Sequence, residues 1–92
     1  MTERVRARVV VHGRVQGVWF RESCRRQAEE LGVHGWVRNR MDDTVEAEFE
    51  GSQPGVARAV AWCRDGPPSA EVTGVDVEMI EPAGDARGFT VR

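Results

Sequence analysis

The chain has 92 residues and a formal net charge of −2, with 13 basic and 15 acidic residues. This length supports one domain with a single two-layer core. The small negative charge argues against a nucleic-acid-binding surface, which usually carries a basic excess. No apolar run can span a bilayer, and MTERVRARVVV lacks the apolar segment and cleavage site of a secretion signal. We therefore expect one domain over residues 1–92, located in the cytoplasm.

The first third of the chain predicts a strand followed by a helix. Four apolar residues recur at every second position, as in a half-buried strand: Val5, Ala7, Val9 and Val11. Apolar side chains then recur at helical spacing at Phe20, Cys24, Ala28 and Leu31. We therefore expect a helix from Glu22 to about Leu31, with Gly32 as its left-handed cap.

The middle of the chain predicts a hairpin and a second helix. GWVRNR and TVEAEFE have strand character, and Asp42 or Asp43 in the turn between them must adopt an unusual backbone angle. Ser52 and Pro54 are a helix start signal, and the following GPP sequence is a stop signal. The predicted buried face of this helix comprises Val56, Ala59, Val60 and Cys63.

Two further strands complete the predicted order. One is indicated by the alternation of Val75, Val77 and Met79 with Asp76, Glu78 and Ile80. GFTVR closes the chain as a last short strand. The order strand, helix, strand, strand, helix, strand, with both helices on one face of an antiparallel sheet, is the split βαβ or ferredoxin-like sandwich. We therefore predict an α+β fold of this class.

A charge pattern on two strands supports this topology. In the ferredoxin-like order the first strand lies beside the third, so arginines of one would face glutamates of the other on the solvent side. These residues are Arg4, Arg6, Arg8, Glu46, Glu48 and Glu50. Opposite charges across neighbouring strands stabilise the pairing by about a few tenths of a kcal/mol each.

The junction between the first strand and the first helix, HGRVQGVWFRESC, departs from both patterns. Gly13 and Gly17 permit backbone angles that other residues avoid, so N–H groups from Val15 to Phe20 can point at one spot. That spot lies at a helix N-terminus, where free amides and the helix dipole favour an anion. Arg21 adds a guanidinium whose fork matches two phosphate oxygens. The residues alone leave two interpretations open, a phosphate cradle or a plain connection.

Asn39 ends the strand GWVRN. By alternation its side chain points to the same side as Val37, toward the helices, so we expect it to be partly buried. A buried amide without partners costs about 1–3 kcal/mol. Asn39 therefore either caps the hairpin or loop, or positions a water molecule beside a bound phosphate, since an amide both donates and accepts.

GRVQGVWFR, followed after a helix by GWVRN and then by TVE, resembles the acylphosphatase family. The signatures of that family are a G-x-V-Q-G-V-x-F-R loop and a G-W-V-x-N strand. The similarity continues through GPPSAEV to the terminal GFTVR. The resemblance implies a hydrolase that cleaves carboxyl phosphate anhydrides to a carboxylate and inorganic phosphate, with no metal and no other cofactor.

The resemblance also implies roles for individual residues. Arg21 corresponds to the catalytic arginine that binds phosphate, and Asn39 to the asparagine that orients the attacking water. The implied phosphate-binding residues are Val15, Gln16, Gly17, Val18, Trp19, Phe20 and Arg21. One departure is Asp43, which stands where the family commonly has glycine in the hairpin. We expect it to cost a little stability and no chemistry.

The cysteines and histidines have structural interpretations. Cys24 and Cys63 are expected to be buried, reduced thiols rather than a disulfide or a nucleophile. His12 is expected on the exposed face of the sheet rather than in catalysis. His34 begins the second strand and has no nearby partner for a metal site, so we expect none.

Two other functions remain open. One is a carbamoyl-phosphate-handling module, like the acylphosphatase-like domain of the hydrogenase maturation protein. The other is a non-enzymatic ferredoxin-like module that binds RNA or a small ligand. RNA-binding members place aromatic residues on the open sheet face, where Arg and Glu are expected here, and we expect Trp19, Trp36 and Trp62 to be packing residues. The expected partners are a small-molecule acyl phosphate and its product inorganic phosphate, with no nucleic acid, no membrane and a monomeric state.

Overall fold

The computed structural model describes residues 3–84 and 87–92. Within these residues the elements follow in the order β1 (Arg4–Arg14), α1 (Phe20–Glu30), β2 (His34–Asn39), β3 (Val45–Ser52), α2 (Gln53–Asp65), β4 (Glu71–Ile80) and β5 (Phe89–Val91). None of the described helices is both long enough and apolar enough to cross a membrane.

The strands form one sheet in the order β4-β1-β3-β2-β5. The first four strands pair antiparallel, as predicted, and β5 runs parallel to β2, with Phe89 opposite Gly35. The ferredoxin-like fold is therefore confirmed, but the sheet is mixed rather than purely antiparallel. The reason is geometric. β4 finishes at the same end of the sheet at which β2 starts. A strand that follows β4 and lies beside β2 therefore runs in the same direction as β2.

The hydrophobic core lies between the sheet and the helices. Its buried members include Ala7, Val9, Val11, Phe20, Cys24, Ala28, Val37, Ala47, Phe49, Val56, Ala59 and Cys63. Fully burying a side chain the size of valine or phenylalanine contributes about 1.5–3 kcal/mol. The rings of Phe49 and Phe89 stack with their centroids 5.6 Å apart, which attaches the short strand β5 to the core.

Both predicted helices are present and have the predicted caps. α1 begins at Phe20, earlier than the predicted Glu22, and the chain leaves it through Gly32 in the left-handed conformation, with φ 68°. α2 begins after Ser52, whose hydroxyl accepts a hydrogen bond from the N–H of Gly55 at 3.2 Å. This contact satisfies an N–H that has no acceptor inside the helix.

The hairpin between β2 and β3 uses its two aspartates differently. Asp43 has φ 71°, which confirms the predicted left-handed position. Asp42 accepts hydrogen bonds from the hydroxyl and the N–H of Thr44. The hydroxyl contact first, and then the backbone contact, lower the pKa of Asp42. Asp42 therefore closes the turn through hydrogen bonds, and Asp43 adopts the left-handed backbone that the turn requires.

The predicted charge ladder is present, and two of its three glutamates are buried. Its ion pairs are Arg4–Glu50 at 3.2 Å and Arg6–Glu48, Arg6–Glu50 and Arg8–Glu46 at 2.6 to 2.8 Å. Arg38 of β2, which the prediction did not include, joins the ladder through Glu46 at 2.6 Å. The expectation of a solvated face is wrong for Glu46 and Glu50, which are 2 % and 0 % exposed. The long arginine side chains cover this face, and the N–H groups of Ala83 and Gly84 donate to Glu50 at 2.7 and 3.0 Å.

The two buried glutamates are held in the charged form. Desolvation alone would raise the pKa of Glu50, but hydrogen bonds from Arg6 and from the N–H groups of Ala83 and Gly84 lower it below 4.5. The pKa of Glu46 is also lowered, because hydrogen bonds from two arginines outweigh desolvation. Each carboxylate therefore contributes to stability when ionised and loses that contribution when protonated.

β4 is an edge strand, and its predicted alternation gives less burial than expected. Val75 packs against the core, whereas Val77 and Met79 are exposed. In the described part of the chain β4 has β1 as its neighbouring strand on one side only. The edge position therefore leaves two of the three predicted apolar residues open to solvent.

Candidate active site

An open cleft of about 370 Å³ lies where the loop after β1 and the start of α1 meet the ends of β2 and β5. Its lining comprises Val15, Gly17, Trp19, Phe20, Arg21, Glu22, Asn39 and Val91. The volume is within the range of small-molecule sites, about 300–1,000 Å³. Both residues that the sequence predicts as catalytic, Arg21 and Asn39, are in this lining.

The loop that carries the predicted phosphate site has a special backbone. Gly17 and Trp19 lie in the left-handed region, with φ 73° and 65°. Gly13 has the predicted unusual backbone angle, with φ 119°, but it lies within β1 at a shift in the β1–β4 register rather than in the loop. A Cβ atom on Gly13 would lie 2.1 Å from the carbonyl oxygen of Glu71, so this glycine lets β4 approach β1 closely. The curl of the loop thus depends on Gly17 and Trp19.

The loop leads into α1 with free backbone donors. In the described part of the chain, the N–H groups of residues 16–19 do not donate to any backbone acceptor. Phe20 follows as the first residue of α1, where N–H groups have no acceptor inside the helix. Free donors at a helix N-terminus attract anions, because the helix dipole also favours negative charge there.

Two side chains hold this loop from outside the cleft through three hydrogen bonds. The Gln16 amide donates to the carbonyl oxygens of Arg40 and Thr44 at 2.8 and 2.9 Å, which ties the loop to the hairpin after β2. The Ser69 hydroxyl donates to the carbonyl oxygen of Val18 at 3.0 Å. From the sequence, Gln16 is predicted to act only through its backbone, and Ser69 has no predicted role. The available signal was the GPPSA segment, which lies within the resemblance.

Arg21 lies in the first turn of α1 and is half-buried. Its Nη1 donates to the main-chain oxygen of Arg92 at 3.1 Å. Arg92 is itself fixed, because its N–H donates to the carbonyl oxygen of Val37 at 2.8 Å and its guanidinium lies 4.5 Å from the Trp36 ring centroid. Within residues 3–84 and 87–92, no Asp or Glu side chain pairs with Arg21. Only Nη1 is engaged, so the other N–H groups of the guanidinium remain available in the cleft.

Asn39 is the last residue of β2, and its side chain is exposed. The expectation of partial burial is wrong, because the cleft rather than a helix lies beside this end of the strand. Among the described residues the Asn39 amide has no hydrogen-bond partner, and Asp42 and Thr44 close the hairpin instead. The alternative role as a cap is therefore not seen, and the amide faces the cleft.

The three tryptophans have different environments. Trp62 packs against Phe20 with ring centroids 5.2 Å apart, as expected of a packing residue. Trp36 is half-buried and lies beneath two guanidinium groups. Trp19 is 79 % exposed, so the expectation that it packs is wrong. Its neighbours Val18 and Phe20 occupy the core positions of this segment and leave Trp19 directed outward.

The histidines lie outside the cleft. His12 is 2.8 Å from Asp76 on the exposed side of the sheet, as predicted. The Nδ1 atom of His34 accepts a hydrogen bond from the N–H of Gly88 at 2.9 Å. Across the residues that the structure describes, no group of three or more His, Cys, Asp or Glu side chains is placed to hold a metal ion.

The two cysteines are buried thiols in contact with each other between α1 and α2. The hydrogen bond with Cys63, and then burial, raise the pKa of Cys24 well above its ordinary value. A thiol with a raised pKa is a poor nucleophile at neutral pH. The predicted burial of Cys24 and Cys63 is confirmed.

Glu22 also lines the cleft, although no role is predicted for it from the sequence. It forms ion pairs with Arg25 and Arg26 on the same helix. The hydrogen bond from Arg25 is the main cause that lowers the pKa of Glu22. The spacing of an acid followed by arginines one turn later is the sequence signal for such pairs. Its charge is therefore balanced along the helix surface.

Comparison with known proteins identifies the family. The sequence profile described as Acylphosphatase matches residues 7–91. The chain belongs to the acylphosphatase family. An acylphosphatase from Anaeromyxobacter dehalogenans is 55 % identical over 92 residues, which cover 100 % of this chain and 99 % of that protein. The structure of an acylphosphatase from Coxiella burnetii has a TM-score of 0.92 and 40 % identity, and covers 97 % of this chain and 93 % of that one.

The predicted family and enzyme class, acylphosphatase, are thus confirmed. Another solved structure, full-length HypF in the phosphate- and nucleotide-bound form, has a TM-score of 0.91 at 22 % identity, over 12 % of that chain. At this identity the likeness shows a shared fold alone. Family membership favours an enzyme over the non-enzymatic binding module that the sequence left open.

Proposed function

We propose that the cleft hydrolyses acyl phosphates to a carboxylate and inorganic phosphate. One observation carries the proposal: Arg21, Asn39 and the free N–H groups of residues 16–19 belong to a single cleft and its loop in an acylphosphatase-family chain. A cation with N–H donors suits a phosphoryl group, and an exposed amide beside them suits an attacking water. The substrate is a small molecule whose phosphoryl end is recognised here.

The phosphoryl group would lie against the loop and the guanidinium. The residues proposed to bind it are Val15, Gln16, Gly17, Val18, Trp19, Phe20 and Arg21, the first six through backbone N–H groups. Such donors are already in place before the reaction, so they stabilise charge without reorganisation. The guanidinium can donate two parallel hydrogen bonds to phosphate oxygens. Among the described residues only its Nη1 is engaged, with the main-chain oxygen of Arg92, so the other N–H groups of the fork remain for the phosphoryl group.

Asn39 would orient the attacking water. Its amide can accept one hydrogen bond from the water and donate another, which fixes the direction of a lone pair. Attack on phosphorus requires the water to be roughly in line with the leaving oxygen. The contribution of Asn39 is therefore positioning rather than removal of a proton.

This chemistry needs neither a general acid nor a metal ion. The leaving carboxylate has a conjugate acid with a pKa of about 4, by analogy with Asp and Glu, so it departs without protonation. In a loose transition state the main demand is to stabilise charge on the phosphoryl oxygens. Arg21 and the loop N–H groups meet that demand, and we propose that they do so without a cofactor.

The test is hydrolysis of benzoyl phosphate by the purified protein, measured as release of inorganic phosphate. We expect turnover that persists in excess chelator and that inorganic phosphate or sulfate inhibits competitively. Strict dependence on Mg²⁺ would contradict metal independence. Non-competitive inhibition would place the anion outside the cleft, and an absence of turnover would overturn the proposed function.

Three broader proposals accompany this one. We propose that the whole chain is one acylphosphatase-like domain, since the family match spans residues 7–91. We propose a monomer, which light scattering would report as a species of 10.3 kDa. We also propose a cytoplasmic location, supported by the contact between Cys24 and Cys63 as free thiols, which an oxidising compartment would not favour.

A further inference from the structure

Trp19 breaks three local rules at once. It is 79 % exposed, although tryptophan is usually well buried. Its backbone is left-handed, with φ 65° and ψ 21°, which is unusual for a bulky residue. It occupies the N-cap of α1 without a capping hydrogen bond from its side chain, where a short polar residue is preferred. An outlier of this kind is a reason to ask what the residue does.

The cleft has two chemically distinct parts. Arg21 and Asn39 provide charge and hydrogen bonds, whereas Trp19 and Val91 provide exposed apolar surface. An acyl phosphate has the same division, because its phosphoryl end is an anion and its acyl end is a carbon chain or ring. If the phosphoryl group binds to the loop and Arg21, the acyl group must lie along the remaining, apolar part of the lining.

Trp19 has no packing role that competes with this one. In the described residues its ring stacks on no other aromatic ring, while Trp62 fills the position against Phe20. The large indole surface is therefore free to contact a bound molecule. Exposed tryptophans of this kind supply apolar area and a flat face at little cost in side-chain entropy.

We propose that Trp19 determines the acyl-group specificity of this enzyme and selects aromatic and bulky apolar acyl phosphates over acetyl phosphate. This inference rests on the proposed function, since it assigns the acyl end of the same substrate. The indole face stacks on an aryl group or packs against a branched chain, and both contacts are absent with a single methyl group. The proposed phosphate contacts of the loop are made by backbone N–H groups, so a change of the Trp19 side chain leaves those donors in place.

The experiment compares kcat/KM for benzoyl phosphate and acetyl phosphate in the wild-type protein and in Trp19→Asn. Asparagine tolerates the left-handed backbone, so this variant keeps the loop conformation. Loss of aromatic contact should lower kcat/KM for benzoyl phosphate about tenfold, mainly through KM. The ratio of kcat/KM for benzoyl phosphate to that for acetyl phosphate should fall by close to the same factor, because the lost contact serves only the larger acyl group. Trp19→Phe should retain the preference for benzoyl phosphate.

A matched control is Met41→Asn, which removes another exposed apolar side chain outside the cleft lining and should alter neither substrate. Equal losses on both substrates in Trp19→Asn, or a weaker affinity for phosphate, would show that Trp19 only supports the loop and would overturn the inference. An unchanged ratio between the substrates would overturn it as well. A wild-type protein that hydrolyses neither compound would overturn the proposed function itself, and the inference with it.

Discussion

The arginines of the sheet face and the arginine of the cleft show two uses of the same side chain. On the sheet, Arg6, Arg8 and Arg38 meet carboxylates at N–O distances from 2.6 to 2.8 Å. In the cleft, Arg21 meets the main-chain oxygen of Arg92 at 3.1 Å through Nη1 alone. The sheet arginines engage Nε and an Nη atom each with a glutamate, whereas the other N–H groups of Arg21 have no partner among the described residues and remain available to an anion. The number of N–H groups already engaged, and not the residue type, therefore separates an arginine held by the fold from one available to a ligand.

The backbones of the two regions also differ in how many of their N–H groups are already hydrogen-bonded. β1 and β3, which carry the charged face, are hydrogen-bonded to each other along their whole register. The loop before α1 keeps the N–H groups of residues 16–19 without backbone acceptors in the part of the chain that is described. Saturated hydrogen bonding stabilises a fold, and unused donors are what a bound anion requires. Substitutions in the two regions should therefore separate stability from activity.

Arg21→Ala should have the largest effect and tests the cleft side of this contrast. We expect kcat/KM for benzoyl phosphate to fall by more than a hundredfold, which is about 3 kcal/mol of transition-state stabilisation. The inhibition constant of inorganic phosphate should rise, because the guanidinium contacts the anion before and during reaction. Steady-state kinetics and product inhibition measure both quantities.

Two further variants control the Arg21 result. Arg21→Lys should recover little activity, because a point charge cannot reproduce the planar fork. Arg26 lies on the same helix, with its Nε atom 3.7 Å from the Glu22 carboxylate. The substitution Arg26→Ala should leave the kinetics unchanged. Near-normal activity in Arg21→Lys would mean that charge alone is sufficient.

Glu50→Gln tests the sheet side of the contrast. The substitution keeps the side-chain volume but removes the charge that faces Arg6, and breaking a buried ion pair costs about 3 kcal/mol. The free energy of unfolding, measured with urea, should fall by about this amount. Activity per folded molecule should stay at the wild-type value, since Glu50 lies outside the cleft lining. A variant that is stable but inactive would show that the two regions are coupled.

Asn39→Ala separates positioning from binding within the cleft. If the amide orients water, kcat should fall about a hundredfold while the inhibition constant of phosphate stays nearly constant. The melting temperature should also stay constant, because the side chain is exposed and substitutions at such sites change stability by about 0.5 kcal/mol or less. Asn39→Asp should be at least as inactive, since its charge repels phosphate. A joint loss of phosphate affinity and melting temperature would make Asn39 a scaffold residue.

The pH dependence of stability should report the buried carboxylates. The pKa values of Glu46 and Glu50 are lowered in the folded state, so the unfolded chain binds more protons in the acid range. Their contribution to the free energy of unfolding is complete above the ordinary pKa of 4.5 and is lost as the pH falls through the lower folded values. Urea unfolding at a series of pH values should show this decline, and Glu50→Gln should show a shallower one. Equal pH dependence in the wild-type protein and in Glu50→Gln would mean that Glu50 is not the main source of the decline in stability.

The sequence predicts the fold well because each element carries its own local signal. The alternation from Val5 to Val11 and the cap at Ser52 correspond to a strand and a helix start in the structure. The parallel pairing of β5 with β2 is not predicted, because the sequence of a three-residue strand does not indicate which strand it pairs with. The burial of Glu50 is not predicted either, since the cover comes from Ala83 and Gly84, which are distant in sequence.

The candidate site also has parts that the sequence predicts and parts that it does not. Arg21 and Asn39 are found from the motifs, and the structure places both in one cleft. The exposure of Asn39 depends on where the layer of helices ends. The alternation of residues along a strand does not predict that position. The outward direction of Trp19 depends on a left-handed backbone that sequence rules assign to glycine or asparagine. Tertiary context therefore decides what each of these side chains faces.

Asp43→Gly should have the smallest effect, and it lies in the hairpin that adjoins both regions. Its φ of 71° strains a residue with a Cβ atom, and glycine removes that strain. The gain is reduced because glycine also increases the entropy of the unfolded chain, so we expect a net stabilisation of about 0.5 kcal/mol. Asp42→Gly is the matched control and should destabilise, because it removes the acceptor for Thr44. Urea unfolding of both variants gives the comparison, and a less stable Asp43→Gly would show that the Asp43 side chain supports the hairpin. Kinetics should not change in Asp43→Gly, since Asp43 is absent from the cleft lining and the turn keeps its shape.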